Sequence, residues 1–148
     1  DSVKAVEVAG FYIHPSWEKS KENKKNILID PALTFGSGHH ETTSTCLESI
    51  SKYIKASDDV LDVGCGSGIL SIGAMKLGAK VDACDTDIVS VDNSIHNAKL
   101  NGLEFNEIWE GSCTNITKKY DVVVANIVAD VLTFIAKDLK NALKSNGI

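Results

Sequence analysis

The sequence predicts an α/β fold built on a doubly wound parallel sheet. Three observations carry that expectation. Short β-branched runs recur at residues 60–63, 81–85 and 121–126. Stretches with apolar residues at helical spacing alternate with them. The first run breaks at once into Gly64, Gly66 and Gly68 and then into a helical pattern, as a strand–turn–helix unit does.

Each element can be justified in chain order. Residues 10–14 and 26–30 are short extended candidates. Each runs into a proline, Pro15 and Pro31, which favours extended backbone just before it. The charged stretch 18–25 between them reads as a solvated loop. Residues 34–43 read Thr-Phe-Gly-Ser-Gly-His-His-Glu-Thr-Thr, a glycine-hinged loop entering a helix. Cys46, Leu47, Ile50, Tyr53 and Ile54 follow at helical spacing. Strand 60–63 comes next, then a helix carrying Ile69, Leu70, Ile72, Met75 and Leu77, stopped by Gly78. Strand 81–85 precedes a helix over 88–100, for which Asn101-Gly102 is the stop signal. Residues 107–110 form a weak third strand and 121–126 a strong fourth. A last helix aligns Val128, Val131, Leu132, Ile135, Leu139 and Leu143 on one face.

The 148 residues suffice for one domain with a core of its own. With 43% apolar and 24% charged residues, the composition is that of an ordinary globular protein. No apolar run reaches the length of a membrane span, and no signal-like start is visible. Asp1, not Met, opens the chain, so a cut N-terminus is expected. Cys46, Cys65, Cys84 and Cys113 show no C-x-x-C spacing. That argues against a zinc site or disulfide framework and fits a reducing cytoplasm. Cys65 reads as a small residue filling a tight turn, with a reactive thiol as the competing reading. A net charge of −5 disfavours broad nucleic-acid binding and suits a basic protein substrate.

The turn at 64–68 carries the chemistry. A strand, a glycine turn and a helix N-terminus bring bare N–H groups close to a ligand. Asp85 ends the next strand, where a carboxylate suits a ribose diol. An adenosine-containing cofactor is therefore expected. The dinucleotide fingerprint G-x-G-x-x-G fails in both registers, because Ile69 or Ser71 falls on the third glycine position. What stands here is G-x-G-x-G, with Asp62 two residues ahead of it. That pattern resembles motif I of the class I methyltransferases, which bind S-adenosylmethionine.

A longer combination narrows the resemblance. Phe35-Gly36-Ser37-Gly38-His39-His40-Glu41-Thr42-Thr43, the glycine turn, and Asn126-Ile127-Val128-Ala129 occur in that order. Together they resemble the bacterial methyltransferase family that modifies large-subunit ribosomal protein eleven, whose pattern is F-G-T-G-x-H-x-T-T before motif I and N-I/L-x-A after strand four. Ser37 stands where the family usually has Thr, and Thr34 where Ala is common. The resemblance runs from about Gly10 to Gly147. It implies a Rossmann-like class I sheet that is incomplete after its fourth strand and helix, since the full fold has seven strands. It also implies two regions. Residues 1–35 would be an extended linker to a separate substrate-gripping domain, and 36–148 the S-adenosylmethionine domain.

The resemblance carries cofactor contacts onto Phe35, Thr43, Gly64, Gly66, Asp85 and Asn126. Thr43 falls in a first helical turn, where N–H groups favour a carboxylate; an ordinary N-cap threonine is the alternative. Gly64 and Gly66 let the backbone approach the ligand. Asp85 offers two oxygens to the ribose hydroxyls. Asp87 reads instead as the start of the next helix. Asp62 either holds the glycine turn or meets the methionine amino group. Asn126 would orient the nucleophile, with a turn-forming Asn as its plainer reading. His39 and His40 either act as bases or shape their loop. The implied reaction is methyl transfer to lysine and N-terminal amines of the ribosomal protein, by a cytoplasmic monomer without a metal, without direct nucleic-acid contact and without a membrane. Two alternatives remain: an N-methyltransferase for nucleic acid or a small molecule, and a cofactor-binding fragment inactive alone. The Asn126-Ile127-Val128 run lacks the aromatic and prolines of the N-P-P-Y type that grips a flipped base.

Overall fold

The computed structural model describes residues 5–30, 40–113 and 116–125, and for 40–43 the backbone alone. Two sheets and three helices make up this part. The first sheet contains β1 (Val6–Val8), β2 (Phe11–Pro15) and β3 (Lys25–Ile29) in that spatial order. β1 runs antiparallel to β2, and β2 parallel to β3 with Ile13 opposite Ile27. β1 is too short for alternation to reveal it in sequence, and its pairing with β2 defines it. Residues 16–25 are exposed, as expected of a charged loop, and Lys21 pairs with Glu7 at 2.6 Å.

The second sheet holds β4 (Asp59–Val63), β5 (Lys80–Asp85), β6 (Glu107–Glu110) and β7 (Val122–Ala125). Its order is β6-β5-β4-β7, with every pairing parallel. This is the doubly wound sheet the alternating runs predict. The chain builds outward from β4 to β5 and β6, then returns to place β7 on β4's other side. Strand order therefore reverses at β4, and open α/β sheets bind ligands outside the carboxyl ends of their strands at such a point.

The helices are α1 (His40–Tyr53), α2 (Ile69–Lys76) and α3 (Ile88–Leu100). Leu47 and Ile50 of α1 are buried, while Tyr53, expected on the same stripe, is exposed. α2 ends through Gly78 (φ 96°), whose N–H bonds to Met75 carbonyl while Ala79 N–H reaches Ala74 carbonyl. A left-handed residue just past the last turn closes the free carbonyls in this way. Asp87 caps α3 by accepting from Val89 N–H at 3.0 Å, as its position suggested.

One apolar cluster joins Phe11, Ile13, Ile27 and Ile29 to Leu47, Val60, Ile72 and Val81. The segment expected as a linker thus contributes Phe11, Ile13, Ile27 and Ile29 to the same core as the glycine-turn unit. Leu61, Val63, Cys84, Cys113 and Tyr120 form a second cluster on the opposite face. Asp82 sits on that face, almost fully buried. It is tolerated because Tyr120 Oη, Asn106 Nδ2 and Lys118 Nζ donate to it at 2.7, 2.8 and 3.3 Å. Burial pushes its carboxyl up, and those three partners outweigh burial to hold it below the usual range. Among the described residues, no helix is long and apolar enough to cross a membrane. The expected last helix and the 34–39 loop lie outside the described residues.

Candidate cofactor site at the carboxyl ends of the strands

Val63 ends β4, and the chain turns through Gly64 (φ 76°), Gly66 (φ 56°) and Gly68 (φ 88°). Side-chain-bearing residues resist that left-handed region, which explains three glycines in five positions. The turn is anchored on β5, because the N–H groups of Gly64 and Cys65 both donate to Cys84 carbonyl, at 2.8 and 3.1 Å. Gly68 then enters α2, and its carbonyl accepts the Ile72 N–H at 2.8 Å. A Cβ on Gly68 would lie 3.0 Å from Ser94 Cα, so the turn presses directly on α3. Among the described residues, nothing lies within 4 Å of a Cβ placed on Gly66.

Asp85 stands against the turn, half-buried at the end of β5. Its Oδ2 accepts the Gly66 N–H at 3.0 Å, and its Oδ1 accepts the Asp87 N–H at 2.9 Å. One backbone donor on each oxygen fixes the carboxylate plane and leaves lone pairs for further donors. The loop after β6 approaches from the other side, with Gly111 N–H donating to Asp85 carbonyl at 2.8 Å. Gly64, Gly66 and Asp85 are thus brought together as the sequence predicts. Thr43 lies in the first turn of α1. Its side chain, Phe35, Asn126, His39 and the His40 ring lie outside the described residues.

Asp62 sits beneath the turn and is almost fully buried. Ser71 Oγ donates to its Oδ2 at 2.6 Å, while its buried Oδ1 has no hydrogen-bond partner among the described residues. Burial pushes the carboxyl up to about 6, the Ser71 bond opposes that shift, and the charge on Asp85 adds to it. A buried carboxylate oxygen with no donor is the feature a bound cationic group would complete. Cys65 is inert by environment: burial, followed by the charge on Asp62, pushes its thiol up to about 12. This fits the reading of Cys65 as a residue filling the turn.

Sequence reasoning missed the polar residues that hold the turn from α3. Ser94 Oγ donates to Gly66 carbonyl at 2.8 Å, and Asn97 Nδ2 to Ser67 carbonyl at 2.9 Å. Both side chains are fully buried. A signal existed: Ser94, Asn97 and Asn101 recur at helical spacing beside Val91, Ile95 and Ala98, where a purely structural helix would be apolar. Among the described residues, no cluster of three or more His, Cys, Asp or Glu side chains is arranged to hold a metal.

The family model of ribosomal protein L11 methyltransferase (PrmA) matches residues 3–148. The chain belongs to the ribosomal protein L11 methyltransferase family. Similar members of this family include the protein of a Nitratiruptor species, 61% identical over 147 residues, which cover 99% of this chain and 52% of that protein. The member from Campylobacter concisus is 57% identical over 146 residues, covering 99% of this chain and 53% of its own length. The chain therefore spans about half the length of the curated L11 methyltransferases it matches. The crystal structure of the ribosomal protein L11 methylase from Lactobacillus delbrueckii subsp. bulgaricus superposes with a TM-score of 0.87 at 32% identity, over 98% of this chain and 77% of that one. The likeness to that L11 methylase therefore extends across the N-terminal strands as well as the glycine-turn unit.

Proposed function

We propose that this chain is the cofactor-binding part of an S-adenosylmethionine-dependent methyltransferase acting on lysine and N-terminal amines of ribosomal protein L11. The observation that carries the reading is the Asp85 carboxylate, held by Gly66 N–H of the glycine turn at the carboxyl end of β5. Asp85 holds the ribose diol, Gly64 and Gly66 admit the nucleoside close to the backbone, and Asp62 Oδ1 accepts from the methionyl ammonium. Thr43 and the first turn of α1 receive the methionyl carboxylate, and Phe35 covers the site. S-adenosylmethionine, when bound, supplies a methyl group on a sulfonium whose leaving group is neutral.

The chain's own work is then positioning and water exclusion more than charge stabilisation. The amine must arrive uncharged. A free lysine of pKa near 10.4 is neutral in only about one molecule in a few thousand at pH 7, so the site has to favour that form. Asn126, following β7, orients the amine, with His39 and His40 as candidates for taking its proton. Residues 1–35 lead into the part of the protein that grips the ribosomal protein, and the enzyme works as a cytoplasmic monomer.

Calorimetry on the full-length protein tests the cofactor. S-adenosylmethionine is expected to bind well and NAD weakly, and the reverse order would end this reading. Labelled methyl transfer is expected on ribosomal protein L11 rather than on RNA. Asp85→Ala is expected to weaken cofactor binding at least tenfold, and Asn126→Ala to lower turnover more than affinity.

A further inference from the structure

The second half of α3 faces two structures at once. Asn97 is fully buried and uses both ends of its amide. Its Nδ2 donates to Ser67 carbonyl in the glycine turn at 2.9 Å, and its Oδ1 accepts the Asp30 N–H just past β3 at 3.1 Å. Ser67 and Asp30 are far apart in the chain, and one planar amide sets the distance between them. Four residues on, Asn101 makes the same kind of double bond to Leu28, accepting its N–H at 2.8 Å and donating to its carbonyl at 2.9 Å. Asn101 also donates to Asn97 carbonyl at 2.8 Å. Asn101 therefore clamps β3 to α3 without bonding to the turn. Asn97 extends that clamp to the turn, and through Gly66 N–H the turn holds the Asp85 carboxylate.

We propose that Asn97 is a positioning residue for cofactor binding, locking the glycine turn to the end of β3 through its two amide bonds. The inference rests on the functional reading above and adds a residue to it. A buried amide with both ends engaged tolerates little displacement, because moving either partner strands a polar group away from water. The first sheet, whose core residues are shared with α1 and α2, thereby fixes where the turn stands against Asp85.

The test compares two variants in the full-length protein. Asn97→Asp keeps the acceptor for Asp30 N–H and replaces the donor to Ser67 with an oxygen that faces a carbonyl. Asn101→Ala removes the clamp on β3 and the bond to Asn97 carbonyl, and leaves both side-chain bonds of Asn97 in place. S-adenosylhomocysteine affinity by calorimetry and Tm are measured for each, well below the melting range. Asn97→Asp is expected to weaken binding at least tenfold, whereas Asn101→Ala lowers Tm with affinity within about twofold of wild type. Equal affinity in Asn97→Asp and wild type, or parallel losses of affinity in both variants, would overturn the positioning role and leave the functional reading standing. Absence of binding by wild type would instead remove both. Should Asn97→Asp fail to fold, amide exchange in wild type decides: saturating S-adenosylhomocysteine is expected to slow exchange at Asp30, and unchanged exchange there sinks the proposal.

Discussion

Asp62 is an acid whose proton the fold holds to a higher pH than usual. One oxygen takes the Ser71 hydroxyl, the other has no donor among the described residues, and burial pushes the carboxyl up to about 6 against an ordinary value of 3.8. The native protein therefore retains a proton that the unfolded chain releases near pH 4. The stability from this group is complete below that pH, falls as pH rises through about 6, and is flat above. The fall amounts to about 3 kcal/mol. Asp62→Asn is expected to remove this decline, read as urea midpoints across pH 4 to 7; an unchanged slope in the variant would show that other carboxylates set it. Asp85 escapes the same burial because it ends its strand.

At the scale of the element, the glycine turn shows that glycines with the same sign of φ serve different ends. Gly68 is packed: an added methyl meets Ser94 backbone at 3.0 Å with φ at 88°. Gly68→Ala is expected to cost about 2–4 kcal/mol from strain and overpacking together, seen as a lowered Tm. Gly66 is open, so Gly66→Ala is expected to cost only the left-handed backbone, about 1–2 kcal/mol. Its methyl would occupy the space proposed for the nucleoside, and cofactor affinity should fall at least tenfold. Equal melting temperatures for the two variants would contradict this division. The G-x-G-x-G spacing was readable because a turn's φ demands are local. The difference between its second and third glycines was not, because only the approach of α3 creates it.

For the whole molecule, the packing of β2 matters most. Phe11 is almost fully buried and its ring lies against the Gly73 position of α2, beside Leu47. Phe11→Ala is expected to cost about 3–5 kcal/mol and to lower the melting of the whole unit in one transition. Two separate transitions would mean that the N-terminal sheet folds by itself. The alternating runs foretold the parallel sheet well, since strand period and helix period are properties of short windows. They described the N-terminal strands only as extended pieces ending at Pro15 and Pro31. Nothing in a short window tells a linker strand from a core strand whose partner helix lies far along the chain.

The chain's own residue order thus determined the α/β alternation, the left-handed turn at 64–68 and the acid that ends β5. Each follows from neighbours a few positions apart, through side-chain period, backbone freedom or strand-end placement. Tertiary structure alone decided that Asp62 is buried with one oxygen unpartnered, that Asn97 joins residues 30 and 67, and that the first sheet shares the core. Those outcomes depend on which distant segments meet, and the free energy of such meetings lies in burial and hydrogen-bond geometry that no local pattern encodes.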